Sequence, residues 1–209
     1  MPPIYPIARN AALALGFILA PGSSSAQDSP TIPPLTLAEQ HGYFFVGGQY
    51  VESAGKRVMA GQMYVEYLTP QKLMHPYPIV MIHGTAQTGT NFIGTPDERP
   101  GWAHNFLARG YRVYVVDQVG RGRSGADPQI YGPYMRFTVE QWESLLTAPE
   151  KYKLWPQATL HTQWPGGPGV AGNPAFDQFY ASQLESIAST VKTEELMFPA
   201  RADSDHVRT

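Results

Sequence analysis

The stretch 79-IVMIHGTAQTGTNF-92 decides how this chain is read. Its first four residues form an uninterrupted apolar run, the pattern of a strand buried on both faces. The run stops at His83-Gly84, where the backbone must turn sharply before a polar loop. Such a strand end can present the N–H of Thr85 or Ala86 to a negative charge above the sheet, as an oxyanion site of acyl transfer requires. An ordinary strand-to-helix loop has the same local form, so His-Gly alone leaves both readings open.

Downstream, Trp102, Phe106 and Leu107 in 102-WAHNFLARG-110 fall on one helical face, and Gly110 ends the helix. A second apolar run, 111-YRVYVVD-117, follows. Strand, loop, helix and strand make one βαβ unit, with two parallel strands joined by a right-handed crossover. Upstream, 58-VMAGQMYVEYLTP-70 alternates Met63, Val65 and Tyr67 on one face, a half-buried strand. Before it, 43-YFFV-46 and 49-QYVE-52 flank Gly47-Gly48, which predicts a tight hairpin turn there. The fold class is therefore α/β, with an antiparallel leading edge. Beyond Pro128 the spacing predicts helices over 138–150, with Thr138 as N-cap and Gln141 as its capping-box partner, and over 175–197. Between them, 154–174 is rich in Trp, Pro and Gly and has no period. No strand is expected after residue 117.

The remaining motifs are weaker. The segment 120-GRGRSG-125 has G-x-G-x-x-G spacing, but Ala126-Asp127-Pro128 follows where a dinucleotide site needs a helix to open, and no acidic residue ends a later strand. In 84-GTAQTGT-90, Thr90 replaces the phosphate-binding lysine and no helix is expected to open. Ser124 lacks the second glycine of G-x-S-x-G, because Ala126 stands in its place, so it reads as a turn residue bonding its own backbone. The six histidines show no zinc spacing; His161 and His206 remain pocket candidates. With no cysteine there is no disulfide, thiolate metal site or cysteine nucleophile. A net charge of −2 without a basic run argues against a nucleic-acid partner. No metal or cofactor is expected.

The N-terminus has the form of a secretory signal. Arg9 precedes the apolar run 11-AALALGFILA-20, which is too short to span a bilayer, and Ser24 and Ala26 occupy the −3 and −1 positions of a cleavage site before Gln27. The alternative is an uncleaved interfacial helix. No membrane partner is expected, and localisation is expected to be secreted or periplasmic. The domain expectation is a signal peptide over 1–26, a core over 27–127 and a cap over 128–209.

Together, 61-GQMYVEYLTPQ-71, 79-IVMIHG-84, 95-TPDERPGW-102, 106-FLARGYRVYVVD-117 and 117-DQVGRGRS-124 resemble the α/β-hydrolase fold from its third strand to the end of its fourth. More narrowly, they are similar to a branch of secreted bacterial esterases whose oxyanion loop carries two adjacent cysteines after His-Gly; here those positions hold Thr85-Ala86. The resemblance implies an oxyanion loop of His83, Gly84, Thr85 and Ala86 and a small-molecule ester substrate. Tyr131, Tyr134, Trp155 and Trp164 then become candidate pocket or lid residues, although packing explains them equally well. It also implies a nucleophile serine, an acid and a histidine after a fifth strand, none of which is recognisable here, so no catalytic residue is expected in this chain. The first reading is thus the N-terminal part of a secreted serine ester hydrolase, truncated before the nucleophile strand. The alternative is a non-catalytic extracytoplasmic binding or scaffold protein on a shortened hydrolase fold. Without the fifth strand, 79-IVMI-82 becomes an open sheet edge, through which dimerisation or aggregation is expected.

Overall fold

A computed structural model describes residues 38–189 together with Glu194 and Glu195. The signal-peptide segment, His206 and most of 190–209 lie outside the described residues. Strands β1 (Gln40–Ser53), β2 (Lys56–Thr69), β3 (Ile79–Ile82) and β4 (Val113–Asp117) form one sheet in the order β1-β2-β4-β3. The pairs β1/β2 and β2/β4 are antiparallel and β3/β4 is parallel, as the α/β reading requires.

The hairpin turn is not at Gly47-Gly48. β1 runs straight through these residues, and the chain reverses at Ala54-Gly55, where φ is 48° and 72° and Ser53 pairs with Lys56. Both central residues are left-handed, the requirement of the tight turn that suits twisted strands. Gly48 instead lies opposite Gly61, at φ values of 90° and 80°, where the regular register skips one position. The Gly61 N–H is thereby released from the ladder and donates to the Tyr131 hydroxyl at 2.9 Å.

Helices α1 (Thr90–Ile93) and α2 (Trp102–Ala108) connect β3 to β4. The first of these opens where none was expected, immediately after Gly89. In α2 the buried residues are Ala103 and Leu107, whereas Trp102 is exposed. The helix ends with Gly110 N–H donating to Leu107 O at 2.9 Å and Tyr111 N–H to Phe106 O at 3.2 Å, while the Phe106 and Tyr111 rings meet edge to face. That is the Schellman pattern with its apolar contact.

β4 is buried throughout and divides the core by alternation. Val113 and Val115 pack with Leu68, Met81, Ala103 and Leu107 on the α2 side. Tyr114 and Val116 pack with Met63, Val65, Tyr131 and Ile187 on the other. β3 does not share this burial. Val80 and Ile82 are aligned with Tyr114 and Val116 yet are 52% and 45% exposed, so β3 is covered on one face only. Among the described residues no strand lies on its outer side.

Beyond β4 the chain is irregular, with α3 (Pro128–Tyr131), β5 (Tyr134–Met135), α4 (Val139–Trp142), α5 (Pro149–Tyr152), α6 (Pro174–Ala181) and β6 (Ser186–Ile187). Asp127-Pro128 does not break the chain: Asp127 caps α3, accepting from Gln129 N–H at 2.9 Å. The Thr138–Gln141 capping box opens α4, but a π turn over Glu143–Thr147 and Pro149 divide the expected long helix. The other expected helix, over 175–197, stops at Ala181. Ser182 Oγ and Gln183 Nε2 both donate to Phe179 O, at 2.7 and 3.0 Å, and compete with helical bonding. The chain then forms β6, which pairs antiparallel with β5, so two short strands do follow residue 117.

An edge strand with an uncovered apolar face is a template for pairing. Replacing both Val80 and Ile82 by lysine should reduce concentration-dependent self-association in analytical ultracentrifugation without altering the far-ultraviolet circular dichroism. Equal association of both proteins would place the contact elsewhere.

Candidate active site

The site is organised by Asp117, the last residue of β4, which is 1% exposed. Its Oδ1 accepts from Gly89 N–H at 2.7 Å, and its Oδ2 accepts from Arg123 N–H at 2.9 Å and Arg123 Nε at 2.8 Å. Burial pushes this carboxyl up, but the Arg123 side chain, the Arg123 and Gly89 N–H groups and the Arg123 charge outweigh it and hold it below the ordinary aspartate value. A Cβ on Gly89 would lie 2.6 Å from Val115, and one on Gly122 would lie 2.6 Å from Asp117 Oδ2. These glycines are needed for close approach, and within the G-x-G-x-x-G spacing it is Gly122 that makes room for a carboxylate inside the protein.

Ser124 completes the same turn. It is wholly buried; its hydroxyl donates to Asp117 O and accepts from Tyr64 N–H at 2.8 Å. It bonds the backbones of β4 and β2, where its own backbone had been expected, and its oxygen is not free to attack a substrate.

The predicted oxyanion loop leaves β3 beside this cluster. His83 is 3% exposed. Its Nδ1–H donates to Gly84 O at 2.8 Å and its Nε2 accepts from Gln118 N–H at 3.0 Å, which fixes the neutral tautomer. Burial lowers its pKa; the Gly84 carbonyl and Asp117 act in the opposite sense, and Arg121 adds to the lowering. His83 is thus a neutral tether between the loop and the end of β4, committed through both nitrogens. Gly84 and Thr85 are exposed, whereas Ala86 is 1% exposed and left-handed at φ 60°. Both polar groups of Ala86 are occupied: its N–H donates to Ser186 Oγ at 2.7 Å and its carbonyl accepts from Leu184 N–H at 2.8 Å. Its methyl group packs with Trp142 and Phe176. Thr85 N–H has no hydrogen-bond partner among the described residues. The sequence offered Thr85 and Ala86 as equal donors; the structure leaves only Thr85 available.

Two residues absent from the sequence reading sit behind the loop. Ser186, 1% exposed, also accepts from Arg121 Nη1 at 2.7 Å. Arg121 is 5% exposed, its Nε has no partner, and it forms no ion pair among the described residues.

Of the pocket candidates, Tyr131 belongs to the core under the sheet and Tyr134 packs against it, donating to Gly120 O at 3.2 Å. Trp155 meets the His161 ring edge to face. Trp164 and His161, with Leu146 and Leu160, line an open groove of about 400 Å³. Among the described residues, no cluster of three or more His, Asp or Glu could hold a metal, and no helix is long and apolar enough to cross a membrane.

Asp117→Asn removes one of the two carboxylates of the part-exposed Arg123, leaves Glu66, and weakens the hydrogen bonds to Gly89 and Arg123, so it should cost about 1–3 kcal/mol in urea unfolding. Because the folded pKa is depressed, Asp117 stabilises the protein fully above its unfolded value, near pH 4 by ordinary reference, and this contribution is lost as pH falls through the lower folded value. The acid limb of the stability profile should therefore flatten in the Asn variant. An unchanged limb would assign acid sensitivity to other groups.

No known family's sequence profile matches this chain. A probable secreted lipase, phiG, of a fungal species (strain ATCC 74256) is 46% identical over 158 residues, which make up 76% of this chain and 40% of that protein. A solved structure described as that of a novel bacterial esterase superposes with a TM-score of 0.53 at 28% identity, over 86% of this chain and 59% of the other. The chain thus spans about two fifths of the one relative and three fifths of the other, and its fold is of the α/β, hydrolase-like kind.

Proposed function

We propose that this chain is the oxyanion-loop-bearing part of a secreted serine ester hydrolase acting on small-molecule carboxylic esters. The observation that carries the reading is that the exposed Thr85, held between the buried residues His83 and Ala86, has an N–H with no hydrogen-bond partner among the described residues. A donor fixed in this way costs no reorganisation when negative charge develops on an ester carbonyl oxygen. The relatives' names, a probable secreted lipase and a bacterial esterase, support the same chemistry and an extracellular location. The groove beside Trp164 offers an apolar wall for one side of such a substrate.

In the complete reaction a serine attacks the ester carbonyl, a histidine takes its proton, a carboxylate orients that histidine, and Thr85 N–H receives the tetrahedral oxygen. Ser124 and His83 do not serve as this pair, because each is committed to backbone partners. The nucleophile, acid and base are assigned to sequence following this segment, and β3 to pairing with a strand contributed by it.

The test is to extend the coding sequence beyond codon 209. The extension is expected to encode a strand followed by an elbow serine, and the extended protein should hydrolyse p-nitrophenyl butyrate and bind a fluorophosphonate at that serine. In the extended protein, Thr85→Pro removes the donor and should lower kcat by about 10²–10³ with little change in KM. An extension without a serine elbow, or an inert extended protein, would overturn the reading in favour of a non-catalytic binding protein.

A further inference from the structure

Arg121 is an anomaly that the hydrolase reading does not require. A guanidinium stays charged in proteins, and a charge taken out of water is normally paired with an opposite one. Arg121 is 5% exposed with no carboxylate partner among the described residues and an unbonded Nε. Arg123, two residues on, takes two carboxylates, Asp117 and Glu66, at 2.8 and 2.6 Å. The turn therefore separates two arginines with opposite situations: one neutralised by two carboxylates, the other without a carboxylate partner among the described residues.

What Arg121 does bind is the strap behind the loop. Ser186 Oγ accepts from both Arg121 Nη1 and Ala86 N–H, each at 2.7 Å, so both lone pairs of the hydroxyl are used. Leu184 N–H holds the Ala86 carbonyl. The left-handed Ala86 is thus fixed from both sides by a segment one hundred residues away in sequence.

We propose that Ser186 and Arg121 are positioning residues of the oxyanion loop: Ser186 pins Ala86 so that Thr85 presents a free donor, and Arg121 sets a buried positive charge, without a carboxylate partner among the described residues, behind it, answered when the oxyanion forms. The proposal rests on the oxyanion reading of residues 83–86. A charge of this kind acts without reorganising, because the fold has already met the cost of burying it. Its field reaches the loop: Arg121 is among the groups that lower the His83 pKa, after burial itself and against the Gly84 carbonyl and Asp117.

The test uses the full chain at micromolar concentration, with hydrogen exchange read by mass spectrometry. In the wild type, Ala86 N–H should be protected and Thr85 N–H unprotected; equal exchange at the two would overturn the strap. Ser186→Ala should speed exchange at Ala86 by about tenfold, as expected for losing one hydrogen bond, and leave the α2 amides unchanged. The charge is read separately, from the His83 imidazole titration by C2–H exchange. Arg121→Met should raise the His83 pKa while Arg121→Lys leaves it near the wild-type value, a distinction that a purely steric role would not produce. If Met and Lys behave alike, the charge has no part in the loop. Should Arg121→Met fail to fold, wild-type protection and the Lys variant still decide the outcome. None of these readouts needs turnover, so an intact strap in an inert extended protein would sink the ester reading and not the strap.

Discussion

The carboxylate of Asp117 is the point on which the rest of the site depends. It closes β4, receives an N–H from the loop after β3 and another from the turn after itself, and fixes the Arg123 guanidinium that reaches back to Glu66 on β2. One side chain therefore ties together two strands and two loops at the end of the sheet. A buried carboxylate is tolerable there only because charged and backbone donors surround it, and the glycines at 89 and 122 are what let those donors come close.

From that anchor the loop after β3 inherits its shape. His83 is held to β4 through Gln118, and Ala86 is held to β6 through Ser186 and Leu184. Two fixed residues with exposed Gly84 and Thr85 between them are a rigid frame around backbone N–H groups that have no partner among the described residues. The region beyond β4 is thus more than a cover. Part of it is the back wall that sets the loop, and its own order depends on Glu143, a buried carboxylate accepting from Tyr152 and Ala171 at 2.6 and 2.9 Å.

How far the sequence foretold this depended on how local each cause was. The strands at 58–70, 79–82 and 111–117 were legible because apolar patterning follows from burial within one element. The Thr138–Gln141 capping box was legible because its partners are three residues apart. The hairpin turn was misplaced because two adjacent glycines mimic a turn, while the true turn uses Ala54, a residue that rarely accepts φ 48°. The depth of β3 was overestimated because an apolar run does not reveal whether anything covers its second face. Ser186 and Arg121 left no signal, because Ser186 is 100 residues from Ala86 and 65 from Arg121, and only the fold brings them into contact.

The hairpin also bears on the order in which the chain assembles. β1 and β2 pair along nearly their whole length across a two-residue connection, so their contacts are local and need almost no loop closure. Hairpins of this kind form in about 1–10 μs. Both pairings made by β4 are non-local by comparison, because β3 and β2 each lie tens of residues before it, so they must close long loops before they gain any contact. The positive-φ pair Gly48 and Gly61 leaves the Gly61 N–H to be taken by the Tyr131 hydroxyl, seventy residues later. The loop after β3 is therefore among the last parts to take shape, since the hydrogen bonds that fix Ala86 come from Leu184 and Ser186, about a hundred residues later.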